Sequence, residues 1–294
     1  MNKEKLVELA ERLAIPLPKE MPSLESYDEI HFNFSGGKDS IALALLMIYG
    51  YKVSKHKVKL CHFRVDGNDE QPAYFDYPET DEYLRYCADH EAFNLPLVVI
   101  SSPKGLKERI EDRGKFPSAQ TQFCTSYQKR DVYAKWVRSL GPGNYLCLSG
   151  ERSEESSRRS KNLAKATFRV YSAANAPTKN RFVDWYRPIH HLTVNEVWKL
   201  MEYAGIEPHP CYTEYNVSRC SCKFCIFLSP NEMKANAEKF PEQFKDLVEM
   251  EKRLGHTMKF EKGKPITLEE YIARASTNEN QLTFDFFEKP CVDW

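Results

Sequence analysis

Ile30-His31-Phe32-Asn33-Phe34-Ser35-Gly36-Gly37-Lys38-Asp39-Ser40 is an apolar run that stops in two glycines, and the helix-forming stretch Ile41 to Tyr49 follows at once. The order reads as strand, tight turn and helix. Adjacent glycines permit φ > 0 and remove the Cβ atoms that would hold an anion away, so several N–H groups can converge at the helix N-terminus. Lys38 adds a point charge suited to phosphate. Asp39 stands too close to an anion site to act by attraction to phosphate. The roles open to it are holding Mg2+, which bridges polyphosphate oxygens, or capping the turn. Neither Gly-x4-Gly-Lys-Ser/Thr nor Gly-x-Gly-x2-Gly is present. The turn Ser35 to Ser40 is therefore built for nucleotide polyphosphate in a different way, with ATP as its expected ligand.

On either side of this turn the pattern alternates. Lys3 to Leu13 carries a helical stripe, Leu6, Leu9, Ala10 and Leu13, that the proline-bearing stretch Ile15 to Pro22 ends. After the turn come an expected strand at Lys57–Val65, helix at Glu79–His90, strand at Leu95–Ser101, helices at Lys104–Asp112 and Thr125–Ser139, and a strand at Asn144–Ser149. Each strand is a nearly continuous apolar run, which predicts an α/β fold: a doubly wound parallel sheet with helices on both faces. Arg152 to Lys165 is polar, basic and serine-rich, and reads as a flexible loop. Order resumes at Trp185–Ile189 and in an amphipathic helix at Val194–Tyr203. Pro208–Phe227 is cysteine-rich, Pro230–Leu254 and Leu268–Ala275 are helical, and Ser276 onward looks irregular. The expected division is 1–24 as a helical extension, 25–205 as the nucleotide-binding domain and 206–294 as a cysteine-rich and helical C-terminal region.

Forty-two basic and 42 acidic side chains cancel, so any nucleic-acid contact must come from a local patch. The first helix is charged throughout and no apolar run approaches a membrane span, so a cytoplasmic location is expected, with no membrane association. Nine cysteines make a disulfide framework unlikely in such a setting. Cys61, Cys87 and Cys147 sit in apolar or mixed runs as small hydrophobes. Four of the rest fall between Cys211 and Cys225.

Asp66 closes the second strand, at the carboxyl edge where open α/β sheets bind ligands, or else caps the turn there. Beyond the fourth strand, Gly150-Glu151-Arg152-Ser153-Glu154-Glu155-Ser156-Ser157-Arg158-Arg159 offers guanidinium forks and hydroxyls for phosphate or sulfate. In order, Ser35 to Ser40, strand-Asp66-Gly67, Pro78-Glu79-Thr80, Phe123-Cys124-Thr125, Gly150-x-Arg152-x2-Glu155-Ser156-x-Arg158, Arg187-Pro188-Ile189 with the Val197-Trp198 helix, and Cys222-x2-Cys225 resemble the phosphoadenosine phosphosulfate reductase family. The resemblance spans about Glu29 to Phe227. It implies an adenine-nucleotide fold in which Ser35, Gly36, Gly37, Lys38, Asp39, Ser40, Asp66, Gly150, Glu155 and Ser156 bind the nucleotide. It also implies that Lys38, Asp39, Arg152 and Arg158 act in catalysis, the arginines at the sulfur- or acceptor-bearing side.

Two departures from the reductases of this family redirect the expected chemistry. Their Glu-Cys-Gly-(Ile/Leu)-His tail is replaced by Lys289-Pro290-Cys291-Val292-Asp293-Trp294, and the Lys38-Asp39 pair that they tend to lack is intact. An intact loop favours ATP with Mg2+ and an adenylation step. The step Cys222-x2-Cys225, with Cys211 and Cys124, offers four thiolates that fit tetrahedral zinc or an iron–sulfur cluster. Cys220, one residue from Cys222, would crowd the same centre, so the expected ligands are Cys124, Cys211, Cys222 and Cys225, with Cys220 or Cys291 left as a free redox or persulfide thiol. The resemblance to cluster-bearing members, including the sulfur-inserting enzyme of bacterial DNA phosphorothioation, favours [4Fe–4S] over zinc. The leading expectation is thus an ATP-dependent sulfur-transfer enzyme. The alternatives are a reductase of adenylated sulfate using Cys291, a sulfate adenylyltransferase, and an idle nucleotide sensor in a complex. The 152–165 patch suits a small anion or a phosphate backbone as acceptor, and a protein partner or self-association stays open.

Overall fold

In the computed structural model, which describes residues 1–68, 71–261 and 263–275, α1 (Lys3–Leu13) precedes a run of alternating elements. These are β1 (Glu29–Asn33), α2 (Lys38–Leu45), β2 (Val58–Arg64), α3 (Thr80–Asp89), β3 (Leu97–Ser101), α4 (Leu106–Arg113), α5 (Phe123–Thr125), α6 (Asp131–Leu140) and β4 (Gly143–Leu148). They are followed by α7 (Ser157–Lys165), β5 (Phe168–Val170), β6 (Arg181–Tyr186) and α8 (Val194–Ala204). Last come α9 (Pro210–Thr213), α10 (Pro230–Lys239), α11 (Pro241–Leu254), the antiparallel pair β7 (Lys259–Glu261) and β8 (Lys264–Ile266), and α12 (Leu268–Ile272).

The sheet runs β3-β2-β1-β4-β6-β5, with every neighbouring pair parallel except β5 and β6. The expectation of a parallel sheet is corrected at this one edge. From Val170 to Arg181 the chain is too short for a crossover, which needs about a dozen residues or more, and it turns back instead. Side chains alternate between two covered faces. Leu60 and Leu146 join a core with residues of α1, α2, α3 and α8, while Cys61 and Cys147 point into a second core with Val132, Tyr133 and Val137 of α6. The helix expected as an extension, α1, is part of the first core: Leu6, Leu9, Ala10 and Leu13 are all buried. Each such leucine contributes about 1.5–3 kcal/mol by burial. A third core joins α4 to α9, α10, α11 and α12.

Two further expectations change. Arg152–Lys165 is a short turn and the helix α7, because Ser156 Oγ caps it by accepting the Arg159 N–H at 3.2 Å and Leu163 is buried. The long helix expected over Pro230–Leu254 breaks at Phe240, since Pro241 has no N–H to continue it. Among the described residues no helix is long and apolar enough to cross a membrane.

From β1 the chain winds outward to β2 and β3, then returns to place β4 on the other side of β1. The loops leaving β1 and β4 therefore diverge. Ligands of open α/β sheets lie in such a crevice, beyond the carboxyl ends of the strands.

Candidate nucleotide and thiol site

The turn between β1 and α2 uses its two glycines differently. Gly36 has φ +75°, a left-handed conformation that favours glycine. Gly37 is extended, but a Cβ there would lie 2.9 Å from Cys220 Cβ and 3.2 Å from the Tyr212 hydroxyl. Inside the turn, Ser35 N–H donates to Ser40 Oγ (3.2 Å), Gly37 N–H donates to Ser35 Oγ (3.3 Å), and Ser40 Oγ donates to the Gly37 carbonyl (2.8 Å). Lys38 N–H donates to the Tyr212 hydroxyl at 3.0 Å. The sequence gives no sign of this tyrosine's role, which depends on the fold of a segment 174 residues away.

Lys38 does not stand free at the start of α2. Lys38 is only 4% exposed, its Nζ donating to the Ser218 carbonyl at 3.0 Å and lying 3.4 Å from Asp39 Oδ2. Asp39 Oδ1 accepts from Arg152 Nε at 2.6 Å. Arg152 is buried, and also donates to Glu154 and to the Leu192 carbonyl. Its guanidinium holds Asp39 rather than lining the cavity. A Cβ on Gly150 would sit 2.8 Å from the Asp39 carbonyl oxygen, so this glycine allows the end of β4 to approach the start of α2.

The other predicted residues divide. Glu155 lines the cavity, binds Arg159 and lies 3.6 Å from Arg219. Ser156 caps α7. Arg158 is exposed and donates to the Ala119 carbonyl at 3.4 Å; one helical position sets it apart from Arg159, which faces the cavity. Asp66 follows its capping alternative: its carboxylate gathers the N–H groups of Tyr74, Phe75 and Asp76. Burial, then the neighbouring Asp76, push Asp66 up to about 6. It faces a smaller cavity of about 80 Å³, shared with His62, Arg64 and Asp81.

The main cavity measures about 320 Å³, within the usual range for ligand pockets. One wall is the turn, with Ser35, Gly37, Asp39 and Ser40. Another carries Lys129, Arg130, Arg159 and Arg219, and Tyr171 and Trp185 also line it. Trp185 donates to Ser149 Oγ at 2.7 Å, and Arg169 and Arg187 lie 4.4 and 4.3 Å from its ring centre. Lys129, Arg130 and Arg219 escaped the sequence reading. Arg219 adjoins Cys220 in sequence, which was the one available signal.

The thiols fall into two groups. Burial raises the Cys222 thiol, with Cys225 and Cys124 adding to it, and burial followed by Cys225 raises Cys124. These three act on one another, and Cys222 lines the cavity. Cys211 keeps different company: its Sγ, Cys220 Sγ and a His209 ring nitrogen lie within 4.8 Å of one another. Pro210–Thr213 turns Cys211 toward Cys220, the residue that had been set aside as crowding. Cys291 lies outside the described residues.

Residues 29–218 match the phosphoadenosine phosphosulfate reductase domain family, about two thirds of the chain, and the protein belongs to that family. An uncharacterized 37.8 kDa protein of Escherichia phage 186 is 28% identical over 143 residues, 48% of this chain and 40% of that one. The match thus spans less than half of that relative's length. Among solved structures the chain is similar to the phosphoadenylyl-sulfate reductase of Candida auris in its phosphate complex (12% identity, 67% of this chain and 92% of that one, TM-score 0.39). It is also similar to the U34-tRNA thiolase of Methanococcus maripaludis with its [4Fe–4S] cluster (13%, 86% and 79%, TM-score 0.47). A third is the NH3-dependent NAD synthetase of Campylobacter jejuni (15%, 87% and 93%, TM-score 0.38).

Proposed function

We propose that the protein binds ATP at Ser35–Ser40, cleaves it between the α- and β-phosphates and leaves AMP on an acceptor that then receives sulfur. The observation that carries this reading is the lining of one cavity. It combines the phosphate-type turn, four cationic side chains, and the thiols of Cys220 and Cys222. The acceptor oxygen attacks the α-phosphorus and loses its proton to solvent; the α–β bridging bond breaks, and pyrophosphate leaves with its electron pair. Lys129, Arg130, Arg159 and Arg219 offset the charge that develops. Arg152 is a positioning residue: it aims Asp39, whose carboxylate, 20% exposed, is the group in this turn available to the Mg2+ of Mg-ATP. An incoming sulfur then displaces AMP from the acceptor.

Cys124, Cys222 and Cys225 fit an iron–sulfur cluster by donor type, and the place of Cys222 in the cavity lining supports a centre beside it. When bound, such a cluster supplies iron sites with affinity for sulfide. The acceptor is a small anion or a nucleic acid, met by the cationic wall. A second reading, reduction of adenylated sulfate, draws support from Cys220 and Cys222, whose thiols line the cavity and can attack sulfur there.

The test is anaerobic purification, iron analysis, and a screen for pyrophosphate release from ATP with candidate acceptors. The expected protein is brown, with about four irons per chain. Pyrophosphate and AMP appear together, and Asp39→Ala abolishes both. Cys222→Ser loses the iron, whereas Cys87→Ser, in the buried core, keeps it. Sulfite release from adenylated sulfate without pyrophosphate release from ATP would favour the second reading, and failure to bind any adenine nucleotide would remove both.

A further inference from the structure

Against the phosphate turn, one segment gathers three metal-ligating groups, two of which, His209 and Cys211, have no part in the chemistry above. We propose that His209, Cys211 and Cys220 form a site for a single thiophilic divalent ion of the zinc class, separate from Cys124, Cys222 and Cys225. Bound there, the ion would pin residues 209–220 onto the turn.

The three ligand atoms lie within 4.8 Å of one another, and His209 and Cys211 are fully buried. The histidine is already in the form a metal needs. Its Nδ1 is 3.0 Å from the Cys211 amide, which can only donate, so Nδ1 carries a lone pair. The proton therefore sits on Nε2, which donates to Thr80 Oγ1 at 3.3 Å. The Nδ1 lone pair accepts the Cys211 N–H, and an ion at Nδ1 would take its place while the outer N–H stays held by the Thr80 hydroxyl, the outer support typical of ligating histidines.

Binding one M2+ releases the two thiol protons to solvent and forms two metal–sulfur bonds and one metal–nitrogen bond. The ion and two thiolates sum to zero, no group is oxidised or reduced, and the fourth position stays open. Another neighbouring pair of buried cysteines, Cys61 and Cys147, shows what packing alone produces. Their partners are the Lys59 carbonyl, Tyr133 and Asn33, and His31, although paired with Cys147 in the sheet register, gives its ring nitrogens to Tyr133 and Glu29.

The site is also mechanically coupled to the turn. Cys220 N–H and Lys38 N–H share the Tyr212 hydroxyl, and Cys220 Sγ lies 3.7 Å from the Ser35 carbonyl. An ion fixing Cys220 fixes this contact.

The experiment uses Co2+ with the Cys124→Ser/Cys222→Ser/Cys225→Ser protein, which lacks the other thiol group. One equivalent should bind with the visible bands of a tetrahedral ion and a thiolate-to-cobalt band in the near ultraviolet, and Zn2+ should displace it. Cys220→Ser or His209→Ala in that background should abolish the tetrahedral spectrum, and Thr80→Ala should weaken binding by roughly 10–100-fold. A folded triple variant without these bands, or bands that survive both substitutions, overturns the proposal. A measurement on the unsubstituted protein stands beside it. Zn2+ should protect Cys220, the partly exposed thiol of the three ligands, from alkylation read by mass spectrometry, and a chelator should reverse this. Equal labelling with and without Zn2+, or a Cys211–Cys220 disulfide in anaerobically purified protein, also overturns it.

Discussion

Between Ser35 and Ser40, the hydrogen bonds that shape the phosphate turn close within six residues, whereas residues 209–225 are held in place by bonds reaching far along the chain. Tyr212 takes the Lys38 amide, the Ser218 carbonyl takes the Lys38 ammonium, and the Lys223 N–H donates to the Phe75 carbonyl at 2.6 Å. The two regions are opposite sides of one contact. One forms wherever its sequence is placed between a strand and a helix; the other takes shape only once the sheet and the third core exist. The chemistry proposed at the turn therefore depends on a segment that local sequence does not position.

Lys38 belongs to both sides, and its loss has the largest expected effect. Lys38→Ala removes the cation beside Asp39 and the bond to Ser218, so the proposed pyrophosphate release should fall at least about 100-fold. Amide exchange across residues 209–220 should quicken at the same time. Lost activity with unchanged exchange would show that the segment stands without the turn.

Gly37→Ala tests the same contact by crowding it. The added Cβ would meet Cys220 Cβ at 2.9 Å, an overpacking that should cost about 1–3 kcal/mol in denaturant unfolding and weaken ATP binding. Combining it with Cys220→Gly should restore part of both. Additive losses in the double variant would place the strain elsewhere.

How far the sequence could be read follows the same division. The first four strands, the glycine turn and the parallel core of the sheet were legible because each depends on neighbours in sequence: apolar runs, a Gly-Gly break, helical stripes. The α7 helix was missed since its support is one buried leucine and a serine cap within a basic stretch, and Arg158 was chosen over Arg159 for want of that helix. The pairing of Cys211 with Cys220 was illegible for another reason. Spacing placed Cys211 with Cys222 and Cys225 and set Cys220 aside, whereas a short turn at Pro210–Thr213 brings Cys211 and the imidazole of His209 to Cys220.

On the β-sheet side of the contact, His62 gives a pH signature. Its Nδ1–H donates to the Phe34 carbonyl at 3.0 Å, just before the turn, and burial pushes it down from 6.5 to about 4. The unfolded chain takes up this proton between pH 6.5 and 4 while the folded chain does not. Stability should fall with acid across that window, by up to about 1.4 kcal/mol per pH unit from this residue. Denaturant titrations at several pH values should show a shallower slope for His62→Gln. An unchanged slope would assign the acid sensitivity to other groups.

The smallest effect is the most discriminating. Tyr212→Phe deletes the hydroxyl that accepts both the Lys38 and the Cys220 N–H groups, while the ring remains in its core. Stability should drop by about 1 kcal/mol, the net value of an ordinary hydrogen bond. Nucleotide binding should move the other way. The Lys38 amide points from the N-terminus of α2, where an anion is best received, and in the unliganded protein a neutral hydroxyl occupies it. Freed of that partner, the amide becomes available to a phosphate oxygen, so ATP should bind several-fold more tightly even as the protein unfolds more readily. Calorimetric titration of the variant decides the matter. Weaker binding would mean that the hydroxyl belongs to the nucleotide site and orders the turn for its ligand; tighter binding would mean that the cysteine-bearing segment competes with the ligand for the same donor.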